Sequence, residues 1–134
     1  MSGMLFLCGF PSSGTDLLKT VVNAHEDIAL AGEFPFLPRL ADRFGPVVRG
    51  QEAGAVAAAL READIYHNLG DPGADLRDLS ARPEVTVAEI YGRLLGPEQT
   101  LWKGNKTPQN TENVERLDRL FPEARFILIV RDVR

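Results

Sequence analysis

Residues 126–130 read Phe-Ile-Leu-Ile-Val, an unbroken apolar run that stops at Arg131-Asp132. It has neither the 3.6-residue period of a helix nor the alternation of a half-exposed strand. It suits a strand buried on both faces, and such strands belong to parallel sheets covered by helices. Weaker strand candidates are Leu5-Phe6-Leu7-Cys8, Ile28-Ala29-Leu30-Ala31 and Thr100-Leu101-Trp102. Helical spacing lies between them. Leu17, Leu18, Val21 and Val22 follow Ser13 and Asp16, which are placed as a capping box. Residues 53–63 are alanine-rich and predicted helical. Val85 to Leu95 carries one apolar face, Val87, Ile90, Tyr91, Leu94 and Leu95, and is stopped by Gly96-Pro97. Thr107-Pro108 supplies an N-cap and an N1 proline for a helix that buries Val114, Leu117, Leu120 and Phe121 and ends at Pro122. Residues 34–44 read as a short helix or loop, and His67 to Pro83 as loop. Strands alternating with helices predict an α/β fold, a parallel sheet flanked by helices with right-handed crossovers.

Composition narrows the function. The formal net charge of -4 gives no chain-wide basic field for nucleic acid or an anionic membrane, so an anion site must be local. One cysteine, Cys8, rules out an internal disulfide and reads as a small buried core residue. The apolar start, Met4 to Phe10, is too short to span a bilayer and runs into Pro11. The expectation is a cytoplasmic protein of one domain, with no membrane and no nucleic-acid partner. His25, beside the first helix's C-terminus, is expected to cap carbonyls there.

Ligands of open α/β sheets bind at the carboxyl ends of the strands. The segments that follow the candidates are the Gly9 to Asp16 turn, Gly32-Glu33, Lys103 to Lys106, and Arg131-Asp132. One sheet edge would therefore gather a glycine-bracketed loop, a carboxylate, a lysine and an arginine. Gly9-Phe-Pro-Ser-Ser-Gly14 has the spacing of a phosphate-binding P-loop, but Thr15 stands where a nucleoside-triphosphatase has its lysine and Asp16 where it has its Mg²⁺-binding hydroxyl. Backbone N–H groups at the helix start can still hold an anion without a metal. The same residues would equally make a capped helix after a tight turn, and Glu33, Lys103, Lys106 and Arg131 taken singly would be solvated surface charges.

In order, FLCGFPSSGTDLL (Phe6 to Leu18), Asn23-Ala-His-Glu-Asp-Ile with Gly32-Glu33 and Leu37-Pro38-Arg39, WKGNKTP (Trp102 to Pro108), and Phe121-Pro-Glu-Ala-Arg-Phe-Ile-Leu-Ile-Val-Arg131-Asp132 resemble the sulfotransferases that use 3′-phosphoadenosine 5′-phosphosulfate (PAPS), in their bacterial and tyrosylprotein branch. The resemblance leaves residues 45–84 unassigned. It implies a P-loop nucleoside-triphosphatase-like sulfotransferase fold over residues 1–134, incomplete at the C-terminus. PAPS is then the co-substrate, no metal is needed, and the acceptor is a small molecule or protein with a hydroxyl, phenol or amine. By the same resemblance Ser12, Ser13, Gly14, Thr15 and Asp16 line the 5′-phosphosulfate site and Arg131 meets the 3′-phosphate. Glu33 takes the acceptor's proton, and Lys106 stabilises charge on the transferring group.

The chain departs from the family pattern in places that matter. Ser12 replaces a lysine or arginine, and loss of one transition-state donor commonly costs about a hundredfold to a thousandfold in rate. Asp16 replaces a hydroxyl. A carboxylate about 5 Å from a phosphate repels it by roughly 3 kcal/mol at an effective dielectric near 20, unless it turns away to cap the helix. The sequence stops at Arg134, just past the last strand, which leaves that strand without the helices that follow it in the family and open to self-association. Two readings remain: a PAPS-dependent sulfotransferase, and an inactive nucleotide-binding remnant of the same fold. A P-loop kinase is disfavoured by the missing lysine.

Overall fold

The computed structural model describes residues 3–10, 13–33, 37–64, 74–95 and 100–132. The chain opens with strand β1 (Gly3–Cys8), helix α1 (Thr15–Val22), strand β2 (Ile28–Ala31) and helix α2 (Leu37–Phe44). Strand β3 (Val47–Arg49), a 3-10 turn at Gly50–Glu52, helix α3 (Ala53–Ala63), the short helix α4 (Arg77–Ser80) and strand β4 (Glu84–Thr86) follow. Helix α5 (Val87–Leu94), strand β5 (Trp102–Lys106), a 3-10 turn at Pro108–Asn110, helix α6 (Val114–Leu120) and strand β6 (Arg125–Leu128) complete it.

The main sheet has the order β2-β5-β1-β6, and every pairing in it is parallel. Phe6 stands opposite Asn105 on one side and Phe126 on the other, so β1 is interior. Its alternating side chains feed two cores. Met4 and Phe6 join the larger one, with Val56, Leu60, Ile90, Leu94 and Leu117 from the helices. Leu5 and Leu7 join the smaller one, with Leu30, Leu18, Val22 and Ile127. Helices thus cover both faces, as the apolar runs predicted. Phe6 is fully buried, and its ring centroid lies 5.5 Å from that of Phe121 and 5.6 Å from that of Phe126.

The structure departs from the sequence expectations where polar residues make strands. β5 is not Thr100–Trp102 but Trp102–Lys106, and Lys103, Asn105 and Lys106 in it are all buried. A search for apolar runs overlooks such a strand. Thr107-Pro108 starts only a 3-10 turn. The helix begins at Val114 after Asn113, and Val114 is 38% exposed while Leu117 carries the burial. β3 and β4 pair antiparallel, Val48 opposite Val85, and take the first two residues from the helix expected at Val85. Thr86 then caps α5, its Oγ1 accepting from Glu89 N at 3.0 Å. α4 lies inside the stretch expected as loop, and residues 67–73 of that stretch lie outside the described residues.

The first helix also differs. Its N-cap is Gly14, at φ 96°, with no side-chain capping bond, so the capping box does not form. Leu17 and Val21 face outward, 71% and 62% exposed, while Leu18 and Val22 pack inward. The His25 imidazole does not cap the helix, its Nδ1 accepting instead from Asp27 N at 3.2 Å; it is the His25 backbone N–H that meets the last turn, donating to Val22 O at 3.1 Å. Cys8 is buried, and burial pushes its thiol up to about 11. β6 is an edge strand in which Leu128 is 59% exposed. Among the described residues no helix is long and apolar enough to cross a membrane.

Replacing Phe6 by Ala removes the ring that both flanking aromatics touch. The expected loss is about 3–5 kcal/mol of folding stability, and urea denaturation would check it. A loss under about 1 kcal/mol would mean that the two aromatics close the gap.

Candidate functional site

Parallel strands bring their carboxyl ends to one edge, and four chain segments meet there. β1 ends at Cys8 and passes into Gly9, where close packing leaves no room for a side chain. A Cβ there would lie 2.7 Å from Ile129 Cγ2 and from Thr15 Cγ2. Ser13 closes the turn on itself, its Oγ donating to Phe10 O at 2.5 Å. Gly14 then takes the left-handed conformation that glycine adopts without strain, and α1 starts on buried Thr15. Among the described residues the N-cap therefore supplies no side chain to the N–H groups of the first turn. Ser12 lies outside the described residues.

β5 delivers Lys106, whose side chain is only 7% exposed. Its Nζ lies 2.9 Å from Asp16 Oδ1 at the start of α1 and 3.9 Å from Glu33 Oε1 just after β2. Asp16 is expected to cap the helix or to face a phosphate, and the structure instead pairs it with Lys106. That hydrogen bond and the lysine's charge hold the Asp16 carboxyl below its ordinary value, with a smaller contribution from the charge of Lys19. Glu33 is half exposed and sits on the same lysine. Arg131 follows β6 at the same edge and is exposed. Ile129, two residues before it, donates its N–H to Cys8 O at 3.0 Å and lies against Gly9 and Gly14.

Next to Lys106 in β5, Asn105 centres a polar cluster that reading for charges overlooked. Asn105 is buried between strands. Its Oδ1 accepts from Thr107 Oγ1 at 2.8 Å and from Asn110 Nδ2 at 2.9 Å, and its Nδ2 donates to the Tyr91 hydroxyl. Burial pushes the Tyr91 hydroxyl pKa up strongly. Thr111 then ties this turn to the glycine loop: its Oγ1 accepts from Gly9 N at 2.8 Å and donates to Gly9 O at 3.1 Å. The run of hydroxyls and amides in Asn105-Lys-Thr-Pro-Gln-Asn-Thr111 was the available signal. Among the described residues no group of three or more His, Cys, Asp or Glu is placed to hold a metal ion.

With this geometry in place, comparison with known proteins is decisive for the family. A sulfotransferase family profile matches residues 5–134. The chain belongs to the sulfotransferase family. It is 29% identical over 132 residues to protein-tyrosine sulfotransferase 2 of Gallus gallus, an alignment that covers 98% of this chain and 32% of that protein. It is 28% identical to protein-tyrosine sulfotransferase 1 of Homo sapiens, with 98% and 32% covered. It is also 28% identical to the nodulation protein NoeE of Sinorhizobium fredii, with 95% and 28% covered. This sulfotransferase-family chain spans about a third of the length of these relatives. The α/β sheet flanked by helices is consistent with the fold that the resemblance implied.

Two outcomes follow for the site. Thr111→Val keeps the shape but leaves the buried Gly9 N–H without its acceptor, which should cost about 1–3 kcal/mol. Hydrogen exchange at the Gly9 amide should quicken, and unchanged protection would show that the loop holds itself. Because Lys106 depresses the Asp16 carboxyl, their pair contributes fully above the ordinary carboxylate pKa and fades as pH falls through the lowered folded value. A carbon-13 titration of the Asp16 carboxyl should show a lowered midpoint that rises in Lys106→Met; the same midpoint in both proteins would contradict the pairing.

Proposed function

We propose that this chain forms the donor-binding part of a sulfotransferase that moves a sulfuryl group from PAPS to a hydroxyl, phenol or amine. Family membership supports the reaction class, and the names of two relatives, both protein-tyrosine sulfotransferases, favour a phenol on a protein. The observation that carries the reading is the convergence of a buried lysine, a half-exposed glutamate and an uncapped helix start on one sheet edge. In this reading Ser13, Gly14 and Thr15 hold the 5′-phosphosulfate through N–H groups of the loop and first helical turn. Arg131 meets the 3′-phosphate from beyond β6.

Glu33 accepts the proton that the acceptor oxygen or nitrogen loses as it bonds to sulfur. The bond from sulfur to the bridging phosphate oxygen breaks, and 3′-phosphoadenosine 5′-phosphate leaves with the electron pair. Lys106 stabilises the charge that builds on that leaving oxygen. A preorganised cation in a partly dehydrated site is worth more there than in water. Positioning and electrostatics carry most of the work, as in in-line phosphoryl transfer. The inactive-remnant reading draws on the Asp16–Lys106 pair, which keeps the lysine on a side chain of the protein itself. Transfer of labelled sulfate from PAPS separates the two.

Binding gives a direct test. 3′-Phosphoadenosine 5′-phosphate should bind roughly tenfold to a hundredfold tighter than adenosine 5′-phosphate, because a charged hydrogen bond to Arg131 contributes on the order of 1.5–3 kcal/mol. Arg131→Ala should remove most of that preference, and Mg²⁺ should not be required. Equal affinity for the two nucleotides in calorimetry, or a strict need for Mg²⁺, would sink the reading.

A further inference from the structure

Asp16 stands where the resembling family carries a hydroxyl, and its carboxylate occupies the buried Lys106. The two partners are unequal. The Lys106 side chain is 7% exposed and held in place, whereas the Asp16 side chain is 82% exposed and reaches inward from the first turn of α1. The other acid near Lys106, Glu33, is a looser partner at 3.9 Å. Asp16 also feels the charge of Lys19, one helical turn along the same face, so it has a second cation to turn toward.

We propose that Asp16 is an internal competitor for Lys106, a built-in anion that keeps the lysine engaged until the anionic end of the donor displaces it and sends Asp16 toward Lys19. This rests on the donor-binding reading above, and it makes Asp16 a residue that sets donor affinity rather than a ligand of the nucleotide. Binding then exchanges one ion pair for another, and apparent affinity falls by the fraction of time that Lys106 is free. A lysine free about one tenth of the time lowers affinity about tenfold. Simple repulsion between Asp16 and the phosphate differs in one respect: it acts whether or not Lys106 is there, while competition vanishes with the lysine.

A double-mutant cycle on the full chain, read by calorimetric titration of 3′-phosphoadenosine 5′-phosphate, tests this. Asp16→Asn should tighten binding about tenfold in the wild-type background and leave it unchanged within about twofold in the Lys106→Met background. Conversely, Lys106→Met should cost little when Asp16 is present and about tenfold when it is Asn. An equal gain from Asp16→Asn in both backgrounds would replace competition by repulsion, and no gain in either would remove the proposal. Lys19→Met, one helical turn from Asp16, should weaken binding about threefold by removing the alternative partner. It serves also if Asp16→Asn folds poorly by circular dichroism, and an unchanged affinity would count against the exchange. If wild type prefers the 3′-phosphorylated nucleotide but the cycle shows no coupling, only this inference falls. If no variant binds either nucleotide, the donor-binding reading falls and takes the inference with it.

Discussion

An ammonium group buried to within a few per cent must be met by opposite charge and by donors and acceptors that satisfy its neighbours. The end of β5 is arranged around that demand. Lys106 projects from an interior strand, and the two carboxylates that answer it come from segments far apart in the chain, one opening α1 and one closing β2. The parallel sheet supplies the meeting point, because it sends every strand's carboxyl end the same way.

The residue before the lysine in β5 anchors an uncharged cluster that holds the turn following it. Asn105 uses its carbonyl oxygen twice and its amide once, and so locks the turn at 107–110 against α5 through Tyr91. Thr111 extends the same turn to the glycine loop. The turn after Lys106 is thus tied by hydrogen bonds both to α5 and to the glycine loop. Such networks hold geometry well when every member is paired, and are costly when one is not. Mobility is left to Asp16, the most exposed of the three charged side chains on Lys106 and its carboxylates.

Much of this was legible in the sequence, for reasons that differ by element. The apolar runs at 5–8 and 28–31 and residues 126–128 became strands, and the alanine-rich helix at 53–63 formed over its whole expected span. Burial on both faces explains the run at 5–8 but not that at 126–130, where β6 is an edge strand and Leu128 and Val130 are exposed. The placement of Glu33 and Lys106 at a common edge followed from strand order alone. β5 was misplaced because its burial is polar: Lys103, Asn105 and Lys106 are hidden by partners rather than by lack of affinity for water. The cap at Ser13 failed because close packing at Gly9 and the left-handed turn at Gly14 set the helix start through the backbone. The roles of Thr111 and Tyr91 depend on contacts across 102 and 14 residues, which no local pattern encodes.

The position of β1 has a consequence for how the chain is made. Its two sheet neighbours are β5 and β6, drawn from the last third of the sequence, so Leu5 to Cys8 leave the ribosome long before anything exists for them to pair with. Nearly a hundred residues must follow before Trp102 can face Gly3. Contacts this distant in sequence slow folding and leave an apolar strand exposed in the meantime. The growing chain therefore carries this apolar segment unpaired until its partners are made, and the glycine loop that hangs from it takes shape only when β5 and β6 arrive.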